Sequence, residues 1–309
     1  MKSHPVGVLF LALAASIWGG MYVVSKMVLR VVDPVSLVWL RYVVAVIFLV
    51  LAGILTRQKW TIRWRDFPLV VSIGVIGYGV SIYTQFLGTK LSTAETGAII
   101  TSATPAFMVM FSAIILNERI TRRRLLSIAT ATSGIILIVG THTQSHAAAA
   151  HAAYARGALI LVVAALTWAL MSVLVKLVPK DYSLLVITTY AIFVATLLLT
   201  PMTLIHLGHT AKLIFHPGIL AGIFYLGVVS TAGAFFLWNK GLQLTDAGSG
   251  GLYFLFQPLV GTFLGWLVLG ETLNVAFWLG AALVMFGLGL VVRDVPSPRS
   301  AADDSAAAK

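Results

Sequence analysis

Ten long apolar runs, each parted from the next by a few polar residues, make up most of the chain. They occupy approximately residues 6–28, 35–55, 67–88, 95–116, 123–140, 157–178, 184–205, 218–239, 248–269 and 274–292. Each is close to the roughly 20 residues a helix needs to cross the hydrocarbon of a bilayer. The runs are continuous, not alternating, so they predict helices and exclude the strands of an outer-membrane barrel. Met1–Leu13 leads into the first run without a small-residue cleavage site and reads as a retained first span. A connector at 141–156, with Ala147–Ala150 at its centre, parts the runs into two groups of five. The polar, Ala/Ser-rich tail from Pro296 to Lys309 reads as disordered.

The pattern then repeats. Leu91-Ser92-Thr93-Ala94, Gly97, Pro105 and Leu116-Asn117-Glu118 return as Leu244-Thr245-Asp246-Ala247, Gly250, Pro258 and Leu269-Gly270-Glu271, with glycine, proline and glutamate all at an offset of 153 residues. Gly74, Gly88 and Gly134 return as Gly227, Gly241 and Gly287 at that same offset of 153. Gly7, Trp18 and Lys26 return as Gly157, Trp168 and Lys176 at an offset of 150. Chance rarely holds unlike residues at one spacing, so the chain reads as an internal duplication. Repeat one is 1–146, repeat two is 147–295, and 296–309 is the tail. Five is odd, so the second repeat must enter the membrane from the opposite side. The expected fold class is an all-α integral membrane protein of ten transmembrane helices in two inverted five-helix repeats.

Composition agrees with a lipid solvent. Of 309 residues, 59% are apolar and 10% charged, against roughly 45–50% and 25% in soluble domains. The net charge of +11 could suggest a nucleic acid, but the basic residues sit in short loops and form no folded basic face. With both termini cytoplasmic, fifteen Lys and Arg fall inside and four outside, with Lys26 and Arg41 left within the spans. This is the positive-inside bias of a multi-pass protein of the cell's inner (plasma) membrane. The Arg119–Arg124 cluster follows Glu118, whereas its repeat partner Thr272–Val275 has no basic residue, as inverted repeats require. No cysteine is present, hence no disulfide or thiolate site. The seven histidines lie at the N-terminus and in loops without carboxylates, so neither a metal site nor a cofactor is expected. The partners expected are the bilayer and a small-molecule substrate, with no nucleic acid, for a monomer or homodimer.

Inverted repeats are a recurrent transporter plan, with substrate held near the midplane where the halves meet. Trp18-Gly19 followed by Lys26, Arg41-Tyr42 in the second run, Pro105 in the fourth and the glutamate that ends it together resemble the drug/metabolite transporter superfamily, EamA type. The resemblance covers nearly the whole chain and implies ten helices and export of small metabolites. Within the family the chain is most similar to the aromatic amino acid exporters of the YddG kind, which implies a neutral or aromatic amino acid as cargo. Two positions depart from the pattern: Ala169 replaces Gly19, and Thr188 or Thr189 stands where Arg41 does.

A solute path must be polar or aromatic where lipid-facing surface is aliphatic. Trp18 and Tyr22 share one helix face at i, i+4, and Tyr78, Ser81 and Gln85 form one stripe. With Thr101, Trp168, Met171, Trp238, Tyr253 and Gln257 they are the candidate lining of a substrate cavity. Aromatics at span ends form interfacial belts instead, which suits Trp39, Trp60, Trp64, Tyr182 and Trp278 but not the mid-span Trp18, Trp168 and Gln257. Arg41 either attracts a carboxylate or is tethered to backbone carbonyls or Asp33. Glu118 with Lys176 at the inner end, and Glu271 with Lys26 at the outer, are gating candidates; alternatively each glutamate stabilises the start of the helix that follows it. Pro105 and Pro258 each remove a backbone hydrogen bond and serve as hinges or as static kinks. No Asp or Glu lies deep within a run, which favours passive or exchange transport over proton coupling. An integral membrane enzyme would need a nucleophile–base pair or a metal cluster, and a channel a uniformly lined pore; neither pattern is present.

Overall fold

The structure, a computed structural model, describes residues 5–117, 121–140, 148–179, 181–244, 253, 256–271 and 274–293. The expectations placed on Glu118, on the 141–147 part of the connector and on the 296–309 tail lie outside these residues.

Every regular element among the described residues is helical. α1 (Pro5–Val28) and α2 (Pro34–Leu55) are parted by a turn ending at Asp33, whose carboxylate accepts from the Ser36 amide at 3.0 Å. Pro34 follows in the first turn, where a missing N–H costs nothing. The third run is a 3₁₀ turn (Trp64–Asp66), α3 (Phe67–Ile73), a π-helical segment (Gly74–Ser81) and α4 (Ile82–Leu91). The fourth is α5 (Ala94–Ser102) and α6 (Thr104–Ile115). Then come α7 (Arg122–Gly140), α8 (Ala148–Val175), α9 (Leu184–Ile214) and α10 (Pro217–Phe224). A second π-helical segment (Tyr225–Gly233), α11 (Ala234–Leu244), α12 (Phe256–Leu269) and α13 (Val275–Arg293) complete the chain.

Seven helical stretches among the described residues are long and apolar enough to cross a membrane: Pro5–Val28, Pro34–Leu55, Trp64–Leu91, Ala94–Ile115, Ala152–Val175, Leu184–His206 and Pro217–Trp238. Shorter apolar helices, Leu125–Ile138, Phe256–Leu269 and Val275–Gly287, fall in the other expected runs. Burial is inverted relative to a soluble protein. Leu9, Leu51, Leu159, Leu197, Phe263 and Leu279 face outward, whereas Ser25, Arg41, Ser81, Gln85 and Thr101 are buried. A chain so arranged keeps its polar groups away from hydrocarbon, as a multi-pass membrane protein must.

Glycines set the closest helix approaches, and the approaches come in exchanged pairs. A Cβ at Gly88 would strike the Gly157 carbonyl and Leu161, and one at Gly241 would strike the Gly7 carbonyl and Leu11. Likewise Gly74 meets the Ala191 carbonyl and Val194, while Gly227 meets the Arg41 carbonyl and Val44. This last exchange puts Ala191, not Thr188 or Thr189, in the place equivalent to Arg41. The guanidinium is thus present in one half only.

The two π segments had no sequence forecast. They begin at closely equivalent positions of the third and eighth runs, and an i→i+5 ladder leaves local carbonyls and hydroxyls free to bond sideways. In the second segment Thr231 Oγ1 donates to the Leu226 carbonyl at 2.7 Å.

Candidate substrate cavity

The helices converge on a central cavity. Trp18, Met21 and Tyr22 of α1 line it, with Arg41 and Tyr42 of α2, Tyr78 of the first π segment, and Ile82 and Gln85 of α4. Thr101 and Thr104 come from the broken fourth run, and Ala164, Ala165 and Trp168 from α8. The rest of the lining is Ser230 and Thr231 of the second π segment, Phe235 of α11 and Gln257 of α12. This mixture of aromatic, amide, hydroxyl and guanidinium groups suits a small organic solute.

Seven of the expected lining residues therefore meet: Trp18, Tyr22, Tyr78, Gln85, Thr101, Trp168 and Gln257. Four do not touch the space. Ser81 turns away and donates to the Ala164 carbonyl at 2.8 Å, tying the first π segment to α8. Met171 is buried in the gap left by Gly77. Trp238 stands one layer back, its ring centroid 5.3 Å from that of Trp18. Tyr253 is half-buried and outside the lining. Sequence reasoning passed over Met21, Tyr42, Ser230 and Phe235. Phe235 carries the aromatic wall, with centroids 5.6 Å from Trp18, 6.1 Å from Tyr78 and 6.2 Å from Trp168. Its spacing from Thr231 and Trp238 on one helical stripe was the available signal.

Both π segments are used as acceptors. Trp18 Nε1 donates to the Ser230 carbonyl at 3.1 Å, and Tyr42 OH donates to the Tyr78 carbonyl at 2.8 Å. Across the cavity, the Tyr22 hydroxyl lies 2.5 Å from Thr101 Oγ1, to which Gln257 Nε2 donates at 3.1 Å. Gly19 permits this link between the first and ninth runs. A Cβ there would stand 2.5 Å from the Gln257 carbonyl.

Arg41 is 3% exposed, and its ring and hydrogen-bond partners are all neutral. Nε and Nη2 donate to Thr231 Oγ1 at 3.1 and 2.6 Å, and Nη1 lies 3.4 Å from Met21 Sδ. The guanidinium carbon is 5.2 Å from the Phe86 ring centroid and 5.7 Å from that of Tyr42. The tether to Asp33 or to backbone carbonyls is not formed, because Asp33 is engaged at the start of α2 and Thr231 supplies the oxygen. Guanidinium has five N–H donors, and these contacts use three nitrogens once each. Gln85 Nε2 and Ser230 Oγ are also buried without a partner. The cavity residues thus have donor capacity beyond their contacts within the protein.

At one end of the cavity Lys26 and Glu271, one of the two candidate gating pairs, bind backbone groups in this conformation rather than each other. Lys26 Nζ donates to the carbonyls of Thr89 (2.7 Å), Lys90 (3.0 Å) and Ser92. Glu271 accepts from the amides of Ala94 (2.9 Å) and Glu95 (3.3 Å). The cation thus takes the carbonyl end of α4 and the anion the amide end of α5, each matched to the helix dipole it faces. The helix start that Glu271 faces is that of α5, not of the following α13. Burial pushes the Glu271 carboxyl above its ordinary range, while the Ala94 amide and Lys26 act the other way. Lys176 is exposed beyond α8.

The fourth run breaks at Ala103, and Pro105 stands in the first turn of α6, where a missing N–H is tolerated. Pro258 lies in α12, and the residues immediately before Phe256 fall outside the described ones. A different acid changes the electrostatics: Glu95, taken above as the edge of a run, is 2% exposed. The absence of a buried carboxylate no longer argues against proton coupling.

The sequence profile of the EamA-like transporter family matches residues 5–140 and, a second time, 155–293. The chain belongs to that family. Over 290 residues this EamA-like transporter is 27% identical to an uncharacterized transporter of Archaeoglobus fulgidus, covering 92% of this chain and 97% of the relative. It is 60% identical over 70 residues to the permease-like protein YdzE of Bacillus subtilis, covering 23% of this chain and 90% of YdzE. It is 26% identical over 235 residues, 75% of each chain, to a probable terminal-alkyne amino-acid exporter of Streptantibioticus cattleyicolor. A crystal structure of a protein 21% identical covers 96% of this transporter and 100% of its own chain with a TM-score of 0.61, which speaks to the fold.

Proposed function

We propose that this protein is a secondary transporter that exports small metabolites, neutral or aromatic amino acids first among them, across the inner membrane. Two inverted five-helix halves, 1–146 and 147–295, alternate access to the central cavity. The exchanged glycine contacts support the two-fold arrangement, since equivalent residues trade places across one seam. Trp18, Tyr78, Trp168 and Phe235 form an aromatic wall for an apolar side chain. The observation that carries the reading is Arg41, a buried cation lining the same cavity, with neutral partners and donors to spare. Buried charge is costly unless paired, and a cargo carboxylate would pair it. An amino-acid exporter among the relatives is in keeping with this cargo class.

The test is counter-flow in proteoliposomes. Radiolabelled L-phenylalanine outside should accumulate transiently when unlabelled L-phenylalanine is preloaded, and 2-phenylethylamine, which lacks the carboxylate, should compete poorly. Equal competition by the amine would refute the Arg41 reading, and flux without counter-flow would indicate a channel.

A further inference from the structure

The end of the cavity held by Lys26 and Glu271 contains one more charged group than its balance allows. Glu95 is 2% exposed and its Oε2 has no hydrogen-bond partner. Both glutamates front the same glycine: a Cβ at Gly265 would lie 2.5 Å from Glu271 Oε2 and 3.3 Å from Glu95 Oε2, so the two oxygens are no more than 5.8 Å apart. Lys26 is the cation facing them from α1, and its ammonium is taken up by three carbonyls. Among the described residues Tyr22 of α1 and Tyr154 of α8 also face α5: Tyr22 lies against Gly97, and Tyr154 bonds Thr96 at 2.9 Å. Arg30 and Lys90 are exposed.

Two ionised carboxylates here would leave an uncompensated negative charge out of water. A charge so desolvated is costly, and the usual escape is for one acid to keep its proton. The α5 amides and Lys26 favour the ionised form of Glu271. Glu95 has no such support at Oε2. Gly248 stands at the position of Glu95 in the second repeat, so the other half has no counterpart.

We propose that Glu95 and Glu271 form a proton-binding site at this end of the cavity, with Glu95 Oε2 carrying the proton while the site is closed. When Lys26 and Glu271 release the 89–95 turn and water enters, the Glu95 O–H bond breaks, the proton passes to water and the carboxylate stays behind. The site therefore gives this transporter a way to exchange a proton against its cargo. That use rests on the carrier reading above; the presence of the proton does not.

The experiment is infrared difference titration of the full-length protein in lipid nanodiscs, with no cargo added. The band of a protonated carboxyl is expected to persist at pH 7, where an ordinary glutamate, half-titrated near pH 4.3, has lost it. Glu95→Gln, nearly isosteric, should abolish the band, and Glu271→Gln should raise the proton's release rate constant or equilibrium dissociation at least tenfold by removing the neighbouring charge. Dicyclohexylcarbodiimide, which attacks protonated carboxyls in apolar surroundings, should label the wild-type peptide containing Glu95 at pH 7, a readout that needs no variant to fold. No band and no label at pH 7, or a band that survives in Glu95→Gln, overturns the proposal. A band with no L-phenylalanine counter-flow would sink the cargo reading and leave the proton site standing; counter-flow without the band would do the reverse.

Discussion

Replacing Arg41 by methionine removes the charge while keeping most of the side-chain volume. The guanidinium is 3% exposed and held by neutral groups alone, so the substitution deletes a desolvated ion and breaks no ion pair. Thr231 keeps its own bond to the Leu226 carbonyl, so no buried hydroxyl is stranded. Thermal stability should hold or rise. Cargo binding should suffer. A hydrogen bond to a charged group is worth about 1.5–3 kcal/mol, which at about 1.4 kcal/mol per decade predicts a loss of roughly 10- to 150-fold in affinity for L-phenylalanine. For 2-phenylethylamine, with no carboxylate, affinity should change less than about twofold. The assay is competition against counter-flow in proteoliposomes, with unfolding temperature measured in parallel. If Arg41→Met weakens both ligands alike, or neither, the guanidinium is structural and the cavity does not recognise carboxylates through it.

Further expectations follow from packing and topology. A Cβ at Gly97 would press 2.7 Å from Tyr22 Cδ1 and 2.9 Å from Thr89 Oγ1, so Gly97→Ala should cost about 1–3 kcal/mol and slow transport by moving Tyr22 off Thr101, seen as lowered unfolding temperature and lower counter-flow rate. Phe235→Ala removes the ring that joins Trp18, Tyr78 and Trp168; at about 0.5–1.5 kcal/mol per aromatic contact, L-phenylalanine should bind roughly 2- to 13-fold more weakly while L-alanine is little affected. Single thiols at Thr121→Cys and Val275→Cys, in the otherwise cysteine-free chain, should react with membrane-impermeant maleimide from opposite faces of sealed vesicles; labelling from one face would refute the inverted halves.

The elements that lipid dictates were readable in the chain, because continuous apolar length and recurring glycine need no knowledge of neighbours. Trp18, Trp168 and Gln257 stood out because aromatic and amide groups at mid-span have no business in hydrocarbon. What was illegible depends on distant partners or on backbone register. Gly74–Ser81 is as apolar as an ordinary span, so nothing in its composition marks the widened helix. The partner of Arg41, Thr231, is 190 residues away, and Glu271 serves the start of a helix 176 and 177 residues upstream of itself. Glu95 sat at a run boundary, where a glutamate ordinarily meets water; only packing of Gly265 against it shows that it does not.

The traded glycine contacts carry a historical consequence. Gly88 on Gly157 and Gly241 on Gly7 are one joint made twice, the arrangement that two free copies of a single half would adopt about a two-fold axis. A bulky substitution in such an ancestral half would have damaged both joints at once. Within a single chain each side can change alone, as Arg41 opposite Ala191 and Glu95 opposite Gly248 illustrate.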